Sequence, residues 1–329
     1  VLADGRLLVA GGLQVSGTNV NVLNGAELYD PASGAWTNAA PLATGRAAHT
    51  ATPLANGVVL VVGGEAQSGA ALASAELYDP NTNHWTAAAP LHTARFGQAA
   101  VLLNGGSKVL VVGGRASSGG ASTPLASTEV YDAATNSWTA GPNLTVARSD
   151  LTATLLADGR VLVAGGDAAA STSPASPQAV ADLVDPDGRA VTRAANMSTV
   201  RADHTATLLS DGRVLVVGGT LDKPQAEVFA PGTGRWTATA PPSAARRYHA
   251  AVTLPSGKVL VAGGAGTAAL ASAETFDPST NAWSAAPAMS GPRWQPVMAA
   301  LKNGQVIVTG GVPVLARTTP PVATAEVYG

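Results

Sequence analysis

Residues 247–249 of this 329-residue sequence read Arg-Tyr-His, 203–204 read Asp-His and 294–295 read Trp-Gln. Guanidinium groups grip anions in a two-pronged geometry. Aromatic faces stack on sugar rings or side chains, and Asp with His can share acid–base work. Asp150 and Phe96 fall in the same pattern further up the chain. The sequence has no Cys. That excludes disulfides, Cys-ligated zinc, iron–sulfur clusters and thiol nucleophiles together. A net charge of −2, with 12% of residues charged, argues against a broad electrostatic footprint for nucleic acid. At 46% hydrophobic the chain is too apolar for disorder, yet no apolar run reaches the ~18 residues of a membrane span. The first residue is Val and no leader pattern is visible, so a mature form or an excised piece is expected.

The elements that must position these residues repeat. Glycine pairs at 11–12, 63–64, 113–114, 165–166, 218–219, 263–264 and 310–311 recur about every 50 residues. Each closes a run such as VLVVGG, which reads as a buried strand. Asn-Gly or Asp-Gly precedes five of the runs; these dipeptides supply the positive φ of tight hairpin turns, so an earlier strand folds back on each glycine strand. After each pair comes an acidic residue: Glu27, Glu76, Glu129, Asp182, Glu227, Glu274 and Glu326. Nine residues after the first six stands Trp36, Trp85, Trp138, Val191, Trp236 or Trp283, and ten further on stands Arg46, Arg95, Arg148, Arg201, Arg246 or Arg293. Only the segment from glycine pair to acidic residue varies much, with offsets of 16, 13, 16, 17, 9, 11 and 16.

Four strands per ~50-residue unit point to a propeller. The glycine pairs, the strands AELYDP, TEVYDA and AETFDP and the spaced Trp residues resemble the Kelch-repeat propellers along the whole chain. The expected fold is all-β: a seven-bladed β-propeller of four-stranded antiparallel blades, one domain over residues 1–329, with blades starting near residues 1, 46, 95, 148, 201, 246 and 293. Blade one lacks most of a first strand and blade seven stops before its Trp strand. Either flanking sequence was removed or the ring closes imperfectly.

In a repeat protein the repeated positions are presumed structural and the remainder are functional candidates. Six repeated Arg nearly balance seven repeated acids, and buried charges must be paired, so internal pairing is expected over an anion-binding ring. Removing register positions leaves six carboxylates, among them Asp150, Asp167 and Asp203, and three aromatics, Phe96, Tyr248 and Trp294. The aromatics lie one or two residues after a repeated Arg, at the start of an innermost strand, where they either stack on a ligand or plug a channel. His49, His204 and His249 share one register position; they either bond neighbouring backbone or take part in a site. Because the loops of blades five and six are shortest, the ligand-binding set expected at the variable-loop mouth is Asp150, Asp203, His204, Arg247, Tyr248, His249, Trp294, Gln295 and Phe96.

Arg-Tyr-His at 247–249 also resembles the Tyr-His pair of the galactose oxidases, themselves Kelch-type propellers that hold copper with a second His and a Tyr cross-linked to Cys. Only Tyr248 and His249 carry over, and without Cys the cross-linked cofactor cannot form. Copper through imidazole is the residual option; no cofactor or metal is expected. Three functions compete: a noncatalytic binding module for a glycan, a peptide or a neighbouring protein domain, a spacer in a longer surface protein, and a metal-assisted enzyme. Length variation confined to one loop class favours binding, since a propeller by itself selects none of them. A secreted or cell-surface bacterial protein with flanking domains and no membrane span is the expected setting.

Overall fold

The computed structural model describes residues 1–329 except 17–18, 119, 221, 315–320, 323 and 329. Among the described residues every regular element is a strand and none is a helix. Seven antiparallel sheets follow one another along the chain, each in simple sequence order. Sheets two to six have four strands; sheet one (Leu7–Ala10, Ala26–Asp30, Ala35–Ala39) and sheet seven (Val297–Ala300, Val306–Thr309, Ala325–Tyr328) have three. This is the seven-bladed β-propeller class. The long loops of sheets one and three carry extra hairpins, Leu13–Ser16 with Asn19–Val22 and Arg115–Ser118 with Ala121–Pro124. The chain divides into two compact units, Val1–Leu13 with Asn21–Ala194, and Gln14–Val20 with Ala195–Gly329.

In sheets two to seven the glycine strands are second and are the most deeply buried; in sheet one Leu7–Ala10 is the first described strand and is largely half-buried. Val59–Val62, Val161–Ala164, Val214–Val217 and Val259–Ala262 are buried at every position. Their β-branched and leucine side chains have neighbours on both faces, because each apolar core lies between two successive sheets. One core joins Leu28 and Leu42 to Val59, Val61 and Tyr78; another joins Leu215 and Val217 to Val259, Val261 and Phe276. No sheet has a core of its own, so stability comes from stacking.

The Asp-Gly and Asn-Gly turns correct the sequence reading in one respect. Only the glycine takes a positive φ: Gly5, Gly57, Gly159, Gly212 and Gly304 lie at 84–96°. The Asp or Asn stays on the ordinary side, and its side-chain oxygen accepts the N–H two residues on, as in Asp158 to Arg160 (3.1 Å) and Asn56 to Val58 (3.1 Å). The side chain thus closes the turn in place of a second left-handed residue.

The repeated Trp faces the aromatic of the third strand across the pair, Tyr131 against Trp138 with centroids 5.1 Å apart. Its indole N–H reaches the preceding sheet: Trp138 donates to the Ala89 carbonyl at 2.7 Å, and Trp85, Trp236 and Trp283 do the same to Ala40, Ala195 and Ala240. Sheet four has Val191 there and lacks this strap. Trp138→Phe is expected to keep the ring packing and lose the bond, costing about 1 kcal/mol in urea unfolding. No loss would show that the strap contributes nothing.

Candidate functional site

The six repeated arginines are at most 1% exposed. Each forms an ion pair with the acidic residue of its own sheet at 2.6–2.7 Å, or 2.8 Å for Arg95 with Glu129. Each also donates to the carbonyl of the first glycine of its sheet, as Arg246 does to Gly263 at 2.9 Å. The carboxylate is gripped a second time by the backbone N–H three residues before the arginine, as Ser198 holds Glu227 (2.8 Å) and Ser243 holds Glu274 (2.7 Å). Burial pulls Arg148 down to about 10 against the favourable field of Asp182, so it is still charged at neutral pH. The arginines are therefore the internal clamps of the sheets, and the residues that follow them are held at fixed height.

Three positions after each arginine have three distinct roles. The first residue bridges in antiparallel fashion to the residue just after the glycine pair: Phe96 to Arg115, Ser149 to Asp167, Arg247 to Ala265, Trp294 to Val312. It thus sits at the base of the variable loop. The second residue is left-handed throughout: Ala48, Gly97, Asp150, Asp203, Tyr248 and Gln295 have φ of 51–61°. Their amides climb from sheet to sheet. In the first unit Gly97 donates to Ala48 and Asp150 to Gly97 (3.0 and 3.1 Å). In the second, Tyr248 donates to Asp203 and Gln295 to Tyr248 (2.8 and 3.0 Å). The third residue turns back onto the first glycine of the preceding sheet, where a Cβ on Gly11 would stand 2.8 Å from His49 Cε1.

This sorts the candidates. His204 and His249 are buried, and the ring Nε2 of His249 lies 2.8 Å from Thr205 Oγ1. Neither faces solvent. Burial, then the positive charge of Arg246, then His204, holds His249 well below the usual histidine range. Burial and Arg46 lower His49 to about 4. The unfolded chain therefore takes up protons first as pH falls. This contribution to stability is complete above ~6.5 and is lost progressively toward pH 4, by about 3 kcal/mol for His49. Melting temperature is expected to fall across that window, and His49→Gln to flatten part of the fall. An unchanged slope in the variant would contradict this.

In the second unit the structure brings together Arg247, Tyr248 and Trp294. Tyr248 and Trp294 meet edge to face with centroids 5.3 Å apart, and the Arg247 guanidinium stands 5.4 Å from the Tyr248 ring. Asp203 and Gln295 flank Tyr248 through the backbone stair. The buried N–H groups Arg247 Nε and Trp294 Nε1 have no acceptor among the described residues. In the first unit Asp150 joins a different group. Ser149 Oγ donates to it at 2.7 Å, and Arg115 stands 3.8 Å from it and 3.7 Å from Asp167. Burial pushes the Asp150 carboxyl up, opposed by Ser149 and Arg115. Phe96 belongs here through its bridge to Arg115. Arg115 was missed in the sequence; the signal was its place directly after a glycine pair, opposite an aromatic.

Comparison with known proteins agrees with this architecture. Residues 46–92, 99–145 and 246–290 each match the Kelch motif, so the chain carries Kelch repeats on a seven-bladed propeller. Among solved structures it is similar to a fungal alcohol oxidase of the AA5 family in complex with copper, with a TM-score of 0.77 and 21% identity over 98% of this chain and 71% of that one. No curated protein matches the sequence significantly. At that identity the likeness concerns the fold. The donor set here does not fit copper. No group of three or more His, Asp or Glu side chains able to hold a metal exists among the described residues. His249 is turned inward onto Thr205, and Tyr248 is packed on Trp294.

Proposed function

We propose that the chain is a noncatalytic binding module and that the second unit recognises a glycan or peptide through Arg247, Tyr248, Trp294, Gln295 and Asp203. The observation that carries this reading is the Arg247–Tyr248–Trp294 group, whose backbone serves the repeat but whose side-chain types do not recur at these register positions. Tyr248 occupies a left-handed position that Gly97 fills without strain in another sheet. The same conformation recurs at Ala48, Asp150, Asp203 and Gln295, so it fixes where the Tyr248 side chain stands. An aromatic pair beside a guanidinium offers a stacking face together with donors. The bridges to Ala265 and Val312 set the group at the base of the variable loops, where recognition is cheapest to vary. The reading treats residues 1–329 as one domain of a secreted or cell-surface protein. Its test is a glycan and peptide array with the wild-type chain, repeated with Tyr248→Ala and Trp294→Ala. Signals that vanish in the variants with melting within a few degrees support it; signals unchanged in both would end it.

A further inference from the structure

Arg247 carries a half-buried charge without a counterion. Among the described residues every other buried or half-buried arginine has a carboxylate partner at 2.6–3.8 Å. Arg247 has none, and its Nε is covered and meets no acceptor. Arg115 of the first unit shows the contrast: it lies between Asp150 and Asp167 and donates to the Ala169 carbonyl at 2.7 Å. One of those acids is the residue just after a glycine pair. That residue is Asp167 in sheet four and Glu65 in sheet two, but Ala265 and Val312 in sheets six and seven. Trp294 is anomalous in the same direction. Trp85, Trp138, Trp236 and Trp283 each donate the indole N–H to a carbonyl, whereas Trp294 Nε1 is buried with no acceptor among the described residues. A cation and two unaccepted N–H groups thus surround one tyrosine ring. A half-buried guanidinium without a counterion favours an anionic ligand.

The amides of the group are already taken. Arg247 and Ala265 exchange both N–H···O bonds (3.0 and 2.8 Å), as do Trp294 and Val312 (2.8 and 2.7 Å). The amides of Tyr248 and Gln295 donate to Asp203 and Tyr248 (2.8 and 3.0 Å). A peptide that docks by strand addition needs such groups free, so recognition here falls to side chains. Tyr248 and Trp294 are both half-buried and meet edge to face, which leaves part of each ring to the C–H face of a sugar. One cation without a counterion, on a chain of net charge −2, matches one carboxylate on that sugar; a polysulfated chain calls for a basic strip. On the reading that Arg247, Tyr248 and Trp294 form the recognition group, we infer that the ligand is an acidic glycan, an oligosaccharide of hexuronic acid. Its ring lies on Tyr248 and Trp294, and its carboxylate pairs with the guanidinium of Arg247. The exposed Gln295 side chain offers a donor and an acceptor to the ring hydroxyls.

The test is calorimetric titration of the 329-residue chain with short oligomers of galacturonate, mannuronate and glucuronate, each against its methyl ester, which keeps the ring and removes the charge. At least one acid is expected to bind, about tenfold or more tighter than its ester, as for loss of a charge-assisted pair. With Arg247→Gln the acid and the ester should bind alike. This variant breaks no ion pair and is expected to melt with the wild type. Tyr248→Ala should lose both ligands. An ester bound as tightly as its acid, or a preference for the acid that survives Arg247→Gln, would overturn the inference. A Glu-rich peptide or a sulfated oligosaccharide bound tighter than every uronate would also overturn it, and sensitivity of that binding to Tyr248→Ala would leave the recognition site itself standing. No binding of any of these ligands would overturn the acidic-glycan assignment, with the array signals of Tyr248→Ala and Trp294→Ala deciding separately on the site.

Discussion

Arg201→Ala is expected to destabilise the chain by about 3–5 kcal/mol, the usual result of breaking a buried pair by removing one partner. Arg201 is fully buried and donates to the Gly218 carbonyl at 2.7 Å and to Glu227 at 2.6 Å. Truncation leaves the Glu227 carboxylate, 2% exposed, held by the Ser198 N–H. An uncompensated buried charge costs far more than a lost surface pair. Since domains are stable by only ~5–15 kcal/mol, the urea midpoint should drop sharply. The double variant Arg201→Ala/Glu227→Ala should recover part of the loss, because the orphaned carboxylate is gone. Unchanged melting in Arg201→Ala with abolished anion binding would instead make the arginines a ligand site.

The second large effect is expected at Gly264. It has φ of +86°, and a Cβ there would stand 2.7 Å from both the Arg247 carbonyl oxygen and His249 Cβ. Neither is the end of a flexible chain, so backbone must move. Strain of ~1–2 kcal/mol for the left-handed residue adds to ~1–3 kcal/mol for overpacking. Gly264→Ala is therefore predicted to cost roughly 2–5 kcal/mol. Gly12 is the control at the same register position: its φ is +100° but the space around it is open. Gly12→Ala should carry the conformational part alone, ~1–2 kcal/mol. Equal losses in the two variants, read by urea unfolding, would refute the packing account of the second glycine.

The repeat made the fold legible because each copy restates it. Seven glycine strands predicted seven sheets, and the constant spacing from Trp to Arg fixed which arginine starts which sheet. The near-equality of arginines and acids predicted the pairs that the structure forms. What occurs once per chain was harder to read. The left-handed position two after each arginine is signalled by glycine only at Gly97, while Asp150, Asp203, Tyr248 and Gln295 hide it behind ordinary side chains. The histidines looked like partners for Tyr248 because their shared register position stands next to its own. At the third position after the arginine the chain has already turned inward, so His204 and His249 are buried, with His249 Nε2 on Thr205 Oγ1. Arg115 joins Asp150 and Asp167 through a bridge between segments far apart in sequence, and no local spacing encodes that.

The central claim is that repeated residues build the sheets and that recognition rests on the unrepeated group at Arg247, Tyr248 and Trp294. Hydroxyl-radical footprinting of the chain, with and without a ligand identified on the array, reads this most directly. Side-chain protection is predicted at Tyr248 and Trp294, with Trp36, Trp85, Trp138, Trp236 and Trp283 unchanged. Protection confined to the repeated tryptophans, with Tyr248 and Trp294 oxidised at the same rate as in the free chain, would contradict it.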